Sequence, residues 1–292
     1  MKAAPFAYVR PASLADAVSE LDSVDGKVLA GGQSLVPVLA MRLGRPATLV
    51  DINAIAELDT LSLTDDELVV GAIVRQRTVE HDRRTSRVPL LGMALPWVGH
   101  RELRSRGTVC GSIAHADPAA ELGAVACCLD ARLEITGPGG TRAERARDFQ
   151  TGAMTTTAGS ADVLTRARFP VAGPGDGFGF AEYARRHGDF ALAGVVARVH
   201  VADGRVSTAV LTAFGVSDRP VTRVVTDAVT TAAHDDVDTM RLALTEPMAD
   251  LAAEVVDTEG DAHGSRGYRV RLVTSLAATQ LATAYRRAAR DE

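Results

Sequence analysis

Two short glycine-containing segments have the residue types and spacing that most clearly indicate ligand chemistry. The first glycine segment (residues 30–34) reads Ala-Gly-Gly-Gln-Ser and follows a short apolar run. The second glycine segment (residues 108–112) reads Thr-Val-Cys-Gly-Ser. Glycine lets the backbone approach a ligand closely and permits positive φ, which directs successive N–H groups at one anion. Each segment alone could be an ordinary tight turn, but together they suit a ligand with two phosphates and a long sugar chain.

Other nucleotide, metal and acid–base chemistries find little support. The sequence contains neither GxGxxG nor GxxxxGK(S/T), so a Rossmann-type site and a P-loop are both disfavoured. The histidines are scattered and the cysteines form no CxxC pair, so no metal site is predicted. His115 precedes Asp117 and His187 precedes Asp189 by two residues, but we interpret neither pair as catalytic. No catalytic residue is predicted.

The composition limits the classes of partner. The 292 residues include 32 basic and 37 acidic side chains, a formal charge of −5, which disfavours nucleic-acid binding. No uncharged run approaches the roughly 18 apolar residues of a membrane span. The three cysteines lack disulfide spacing, and residues 1–9 lack a signal-peptide pattern. We therefore predict reduced thiols and a cytoplasmic location.

The elements that position the glycine segments are predicted from hydrophobic periodicity. A helix is expected over residues 13–22, a buried strand over 27–30 and another strand over 48–52. This order of strand, glycine turn, helix and strand is an α+β pattern. Residues 107–114 are expected to form a second glycine-containing loop. A helix is then expected to begin at residues 115–118, with Pro118 at its first position.

The second half of the chain predicts a change of architecture. A hairpin is expected around residues 137–140 and a strand over 163–169. Residues 170–179 contain two prolines and four glycines, which is typical of a domain boundary. Later strands are expected over 191–201 and 205–216, and three helices near 222–233, 238–254 and 267–290.

Three longer runs extend this pattern. The first two contain the glycine segments, and the third run (residues 180–199) is called the third motif. They are residues 29–58 (LAGGQSLVPVLAMRLGRPATLVDINAIAEL), 101–131 (RELRSRGTVCGSIAHADPAAELGAVACCLDA) and 180–199 (FAEYARRHGDFALAGVVARV). In this order and spacing they resemble the FAD-binding medium subunit of molybdenum hydroxylases. That family includes carbon monoxide dehydrogenase and the flavin domain of xanthine dehydrogenase. The resemblance covers essentially the whole chain.

This resemblance implies a particular α+β fold. The family has a vanillyl-alcohol-oxidase-type FAD-binding domain of two subdomains, followed by a C-terminal domain with an antiparallel sheet and helices. The implied divisions are FAD-binding subdomain 1 at residues 1–58, FAD-binding subdomain 2 at residues 59–175, and the C-terminal flavoprotein domain at residues 176–292.

The resemblance also implies which residues contact FAD. The first glycine segment would surround the pyrophosphate, with Ser34 donating to a phosphate oxygen, and the second would meet the phosphates from the other side. Asp117 would accept hydrogen bonds from hydroxyls of the flavin chain, because a carboxylate suits donors. Leu164 would pack near the adenine or ring end, and Phe190 would cover one isoalloxazine face. The implied set is Ala30, Gly31, Gly32, Gln33, Ser34, Leu35, Thr108, Cys110, Gly111, Ser112, Ala116, Asp117, Leu164, Asp189 and Phe190.

The chain departs from the family pattern at two places. Cys110 stands where the family usually has the first of two glycines, so its backbone must tolerate a Cβ or the loop must shift. Family members often carry a lysine shortly before the arginine pair that is Arg185 and Arg186 here. This chain has Ala-Glu-Tyr at residues 181–183 instead, which leaves open a contact to the flavin from that point.

The implied function is electron transfer within a molybdopterin-dependent hydroxylase or dehydrogenase. FAD on this chain would take electrons from the 2Fe-2S clusters of a small iron-sulfur subunit, while a large molybdopterin subunit oxidises substrate. The terminal acceptor could be NAD, a quinone, a cytochrome or O₂, and the assembly would be a dimer of heterotrimers. Two alternatives stay open: an independent FAD oxidase or reductase using His187 as acid or base, and a flavin-free scaffold subunit.

Overall fold

The first part of the chain is built on a small parallel sheet. The structure, a computed structural model, describes residues 2–291, and of residue 291 only its place in the last helix. The first sheet has the order β1–β3–β2, with parallel pairing throughout. Its elements in chain order are β1 (Ala7–Val9), α1 (Leu14–Ser23), β2 (Gly26–Leu29), α2 (Leu35–Ala40) and β3 (Thr48–Asp51). The helix predicted over 13–22 is confirmed by α1. It begins after Ser13, because the Ser13 hydroxyl caps the helix by accepting the Asp16 N–H.

The second part contains a five-stranded antiparallel sheet. Two short 3-10 helices (Ile52–Ala54 and Ala56–Leu58) lead into it. Its strands are β4 (Leu61–Leu63), β5 (Glu67–Gly71), β6 (Arg132–Gly137), β7 (Gly140–Arg145) and β10 (Val163–Pro170), in the order β4–β5–β10–β6–β7. A separate two-stranded ribbon pairs β8 (Gln150–Gly152) with β9 (Thr155–Thr156). The hairpin predicted around residues 137–140 joins β6 to β7 and is confirmed.

Short helices cover this second sheet and fill the space beside it. They are α3 (Gln76–His81), α4 (Pro89–Ala94), α5 (Arg101–Arg104), α6 (Val109–His115), α7 (Glu121–Leu129) and α8 (Ala146–Phe149), with 3-10 turns at Arg83–Arg87 and Leu95–Trp97. All nine residues of α7 are buried. This helix therefore forms the centre of the apolar core rather than its surface.

Two predictions about this region are wrong. The helix expected to begin at residues 115–118 begins at Glu121, and Pro118 lies in the turn before it. In that turn the Asp117 carboxylate accepts the Ala119 N–H and the Asp117 carbonyl accepts the Ala120 N–H. The second correction concerns the second glycine segment: it is not a loop but the cap and first turn of α6.

The last part of the chain is an antiparallel sheet with long helices. The sheet runs β11 (Asp176–Tyr183), β12 (Ala193–Ala202), β13 (Arg205–Phe214) and β14 (Val221–Val224) in that order. Helices α9 (Thr226–Ala232), α10 (Val237–Val255) and α11 (Arg266–Asp291) follow, with the small ribbon β15 (Gly260–Asp261) and β16 (Gly264–Ser265) before α11. The helices predicted near 238–254 and 267–290 are confirmed. The helix expected over 222–233 is wrong in its first part, because residues 222–224 belong to β14 and α9 begins at Thr226.

The two faces of this sheet pack against different parts of the chain. Gly177 and Gly179 lie on the face that α11 covers, where an added Cβ would come within 1.9 Å and 2.6 Å of α11 carbonyl oxygens. Their lack of side chains lets the helix lie close to the strand. Phe178 points to the opposite face and belongs to the same core as α7. The sheet thus joins the C-terminal helices to the first two parts of the chain.

Candidate functional site

The first glycine segment connects β2 to α2 and has a backbone shape that requires glycine. Gly32 has a φ of +75°, in the left-handed region that a side chain disfavours. The Gln33 side chain donates to the Gly31 carbonyl at 3.4 Å, which folds it back onto the segment. Ser34 is exposed and its hydroxyl caps no backbone N–H. A ligand at this segment therefore meets main chain and one free hydroxyl.

The two glycine segments approach each other at Gly31. A Cβ added there would lie 2.3 Å from the Arg106 carbonyl oxygen and 2.8 Å from the Gly107 Cα. Only glycine permits this approach, and Gly107 leads directly into Thr108. Segments about 75 residues apart thus meet at one place, as a shared ligand requires.

Two polar side chains that the sequence analysis missed connect these segments. The Asn53 amide donates to the Ala30 carbonyl at 2.8 Å and accepts from the Arg75 guanidinium at 2.6 Å. Arg75 also donates to the Arg106 carbonyl at 3.0 Å. Burial and the nearby Arg106 charge lower the pKa of Arg75. Asn53 lies within the first family-like run, but nothing in its spacing indicates a partner 22 residues away.

The second glycine segment is organised by a helix cap. The Thr108 hydroxyl accepts the Gly111 N–H at 3.0 Å, and α6 begins at the next residue. A Cβ on Gly111 would lie 2.5 Å from that hydroxyl. Cys110 has ordinary helical geometry and is buried, with its thiol 3.4 Å from the Val70 carbonyl. Burial raises the pKa of this thiol to about 12. No loop shift is needed to accommodate Cys110.

Several backbone N–H groups of both segments have no acceptor within residues 2–291. They include those of residues 31–34 and, at the start of α6, that of Cys110. Unpaired N–H groups carry partial positive charge that favours a bound anion, and both segments contain such groups. The surface where the segments meet therefore fits a phosphate-bearing ligand.

A cleft of about 480 Å³ lies at the other end of α6. Its walls are lined by Asp117, Ala119, Arg185, Asp189, Phe190, Ala191, Leu192, Gly215, Asp261, His263 and Arg269. We call it the central cleft, because it has residues from both the second part of the chain and the C-terminal part. The seven residues of α6 separate it from Thr108 by about 10 Å at 1.5 Å per residue. An extended ligand can therefore span both places.

The third motif is held in the central cleft by contacts on two sides. Gly188 has a φ of +87° and packs against the His100 ring, and the His187 ring lies 5.0 Å from the Trp97 ring. Phe190 is 72% exposed, so one face of its ring is available to a flat ligand. The contact of His187 with Trp97 gives the exposed His187 ring a packing role beside the central cleft.

The sequence analysis also missed Arg269 of α11, which lines the central cleft. Its buried guanidinium donates to the carbonyls of Leu192 and Gly215, the latter at 2.9 Å, and to the Asp261 carboxylate at 2.7 Å. Arg269 thereby fixes the strand ends that border the central cleft. In sequence it is one of many arginines in a helix, and no local pattern distinguishes it.

The remaining predicted residues lie in helices, at a helix end or in the apolar core. Leu35 begins α2, and Ala116 ends α6 with a φ of +52°. Leu164 is 6% exposed and packs in the core on β10, outside the walls of the central cleft. Burial lowers the pKa of His115, against a smaller opposite effect of the nearby Asp117 carboxylate. Ser112 lies in α6, one turn after the Thr108 cap.

The described residues contain neither a metal-binding cluster nor a helix that could span a membrane. Residues 2–291 contain no group of three or more His, Cys, Asp or Glu side chains arranged to hold a metal ion. Across the same residues, no helix has the length and apolar character to cross a membrane. The three cysteines are free and buried.

Comparisons with known proteins identify the family. Residues 4–172 match the family described as the FAD binding domain in molybdopterin dehydrogenase, and residues 178–284 match the CO dehydrogenase flavoprotein C-terminal domain. The chain therefore belongs to the FAD-binding subunits of molybdopterin dehydrogenases. It is of the medium-subunit type found in molybdenum hydroxylase complexes, an oxidoreductase family. The α+β fold, the family resemblance and FAD as the cofactor of this chain type are confirmed.

Individual relatives match over nearly the full length. The chain is 31% identical to the 6-hydroxypseudooxynicotine dehydrogenase complex subunit alpha of Paenarthrobacter nicotinovorans, over 99% of this chain and 97% of that one. It is 32% identical to the nicotine 6-hydroxylase medium subunit of the same organism, over 94% and 96%. A solved carbon monoxide dehydrogenase of Hydrogenophaga pseudoflava superposes with a TM-score of 0.88 at 28% identity, over 98% of this chain and 99% of that one.

Proposed function

We propose that this chain is the electron-transfer subunit of a molybdopterin-dependent hydroxylase or dehydrogenase complex. It would take electrons from the 2Fe-2S clusters of a small subunit and pass them to an external acceptor. A large molybdopterin subunit would oxidise the substrate, in a dimer of heterotrimers. The observation that carries this proposal is the meeting of the two glycine segments at Gly31, with unpaired N–H groups on both sides.

The binding roles proposed for this chain follow from that geometry. The N–H groups of residues 31–34 and of the first turn of α6 would hold the pyrophosphate, with Asn53 and Arg75 keeping the two segments together. Asp117 would accept hydrogen bonds from hydroxyl groups of the chain between the phosphates and the ring. Phe190 would cover one face of the ring in the central cleft.

FAD, when bound, supplies a redox centre that exchanges electrons singly or in pairs. The protein's contribution is orientation and electrostatics, because no described side chain of the central cleft is arranged as a nucleophile with its base. The His187 ring packs on the Trp97 ring while remaining exposed, so it contributes packing to the third motif. This division of labour suits a relay between redox partners better than an enzyme with its own substrate.

The predicted domains and location remain proposals. Each of the ranges 1–58, 59–175 and 176–292 contains one main sheet, which supports the three-domain division. Three free, buried cysteines are compatible with the reducing conditions of the cytoplasm, where we propose the complex works.

Purification of the native complex tests this proposal. We expect the chain to co-purify with two further polypeptides, stoichiometric FAD, iron and molybdenum. Anaerobic reduction by the partner subunits should bleach the flavin absorbance. A flavin-bearing chain that purifies without partners would instead support the independent oxidase or reductase. A flavin-free chain within the complex would support the scaffold.

A further inference from the structure

Two buried glutamine side chains contact α6, one near each end of the helix. Gln76 is 3% exposed and Gln150 is 5% exposed. The Gln76 amide donates to the Thr108 carbonyl at 3.3 Å. The Gln150 amide donates to the Ile113 carbonyl at 3.0 Å. Because α6 begins in the second glycine segment and ends shortly before Asp117 of the central cleft, these contacts lie near both ends of the site proposed for FAD.

The start of α3 holds the three residues that lead into α6. Arg75 donates to the Arg106 carbonyl at 3.0 Å, and the Gln76 N–H donates to the Gly107 carbonyl at 2.8 Å. The Gln76 amide binds the next carbonyl, that of Thr108, so three successive carbonyls accept from two adjacent residues. This segment therefore cannot shift along the chain direction without losing several hydrogen bonds at once.

The β8–β9 ribbon holds the other end of α6. Gln150 begins β8, and the Met154 N–H between the two strands donates to the Ala116 carbonyl at 2.9 Å. Met154 and Ala116 have φ values of +54° and +52°, a left-handed conformation that is unfavourable for residues with a side chain. Such conformations persist where the surrounding contacts fix them. The ribbon therefore fixes the end of α6 that precedes Asp117.

Two glycines make room for the glutamine side chains. A Cβ added to Gly107 would lie 2.8 Å from Gln76 Oε1, and one added to Gly123 would lie 2.8 Å from Gln150 Nε2. Both Oε1 atoms are buried and have no hydrogen-bond partner within residues 2–291. A buried, unpaired carbonyl oxygen lowers stability, so the core would tolerate an apolar side chain of similar size at least as well. The position that the two glutamines give to α6 explains them better than the stability they add.

We propose that Gln76 and Gln150 are cofactor-positioning residues that fix the two ends of α6. This rests on the FAD binding proposed above. Gln76 sets the position of the second glycine segment against Gly31, and with it the contacts to the pyrophosphate. Gln150 sets the position of Asp117, and with it the hydrogen bonds to hydroxyl groups of the flavin chain. Each glutamine acts through α6 and does not itself contact FAD.

The two positioning residues predict different effects on two ligands. ADP contains the two phosphates of FAD but neither the flavin ring nor the sugar chain attached to it, so its binding depends on the pyrophosphate end alone. Loss of the Gln76 amide should weaken ADP and FAD alike. Loss of the Gln150 amide should weaken FAD and leave ADP unchanged. A purely structural role would change the stability of the chain without separating the two ligands.

Calorimetric titration of the cofactor-free full chain with FAD and with ADP tests this proposal. Methionine has a similar size and no amide, and the two accepting carbonyls keep backbone donors, the N–H groups of Ser112 and Ala116. In Gln76→Met we expect the dissociation constants of both ligands to rise about tenfold. In Gln150→Met only the constant for FAD should rise, by a similar factor. The midpoint of urea unfolding without ligand should stay close to that of the unmodified chain in both variants.

A control and a second variant make the test decisive. Gln280→Met on α11 lies outside the glycine segments and the central cleft, and should bind both ligands like the unmodified chain. If Gln150→Met folds poorly, Gly123→Ala displaces the same amide and should also weaken FAD alone.

Unchanged constants in the variants of Gln76 and Gln150, or an equal loss of both ligands at Gln150, would overturn the positioning roles while leaving FAD binding intact. An unmodified chain that binds neither FAD nor ADP would overturn the proposed function itself.

Discussion

At the scale of single residues, close backbone approach decides the site more than side-chain chemistry does. Gly31 is the clearest example, because its importance lies in the neighbouring Arg106 carbonyl rather than in its own conformation. The sequence predicts that glycines at residues 31 and 32 admit a ligand. It does not predict that one of them admits another segment of the chain, because that contact depends on the tertiary fold.

Gly31→Ala tests this contact. The added Cβ would lie 2.3 Å from the Arg106 carbonyl oxygen, so the two segments must separate. We expect FAD retention to fall at least tenfold, measured as the flavin-to-protein absorbance ratio after gel filtration. Gly92→Ala is the matched control, because nothing lies within 4 Å of its added Cβ. Equal retention in both variants would contradict the role assigned to Gly31.

Gly32→Val tests whether the positive φ of Gly32 is needed for FAD binding. The positive φ of Gly32 would be strained by about 1–2 kcal/mol with any side chain. The added Cβ would also lie 3.3 Å from a Val36 methyl and 3.4 Å from a Leu29 methyl, so a branched side chain would displace the segment that we propose holds the pyrophosphate. We expect this variant to lose flavin on purification while it still unfolds cooperatively in urea. Stoichiometric FAD in Gly32→Val would count strongly against the assignment.

The pKa of Glu182, which burial raises, also predicts how stability depends on pH. Its value is about 8 in the folded chain against an ordinary 4.5, so the folded state binds more protons between these values. Stability from this group is therefore fully present below about pH 4.5 and is lost as the pH rises towards 8, by up to about 1.4 kcal/mol per unit. Urea unfolding of cofactor-free Glu182→Gln should show a shallower decline than the unmodified chain. Parallel declines would contradict the shifted pKa.

At the scale of elements, a helix cap defines the second glycine segment. The sequence indicates glycine and threonine at the right positions, but the expected loop is in fact the first turn of α6. The error has a physical cause: Thr108 satisfies the Gly111 N–H, so the helix can begin immediately. The later start of α7 has a similar cause, because Asp117 caps a turn that separates the two helices.

Thr108→Val tests the cap while preserving the shape of the side chain. The Gly111 N–H would lose its acceptor, which we expect to lower the free energy of unfolding by about 1 kcal/mol and to weaken FAD binding. Thr141→Val is the matched control, because its hydroxyl contacts only the exposed Thr136 hydroxyl of a hairpin. If both variants bind FAD like the unmodified chain, α6 does not position the ligand.

At the scale of the whole molecule, the central cleft depends on contacts between distant parts of the chain. Periodicity predicts strands β12 and β13 and two of the long helices that follow, but neither β11 nor β14. It does not predict that α11 provides Arg269 to the strand ends at Leu192 and Gly215. Such contacts join residues more than 50 positions apart, and no local pattern specifies them.

Arg269→Met tests whether this long-range contact maintains the cleft. Two carbonyl groups and the Asp261 carboxylate would lose a buried donor, which we expect to destabilise the chain by about 2–3 kcal/mol in urea unfolding. Arg271→Gln on the exposed side of α11 serves as control and should change stability by less than about 0.5 kcal/mol. Similar effects of the two substitutions would show that Arg269 does not hold the strand ends.

Hydrogen exchange of the backbone amides with and without FAD tests the central claim most directly. The N–H groups of residues 31–34 have no acceptor in the described part of the chain and should exchange rapidly without the cofactor. On FAD binding we expect strong protection there and at residues 108–112, with no change at the exposed hairpin turn of residues 138–140. Protection confined to other regions, with both glycine segments unaffected, would contradict the account.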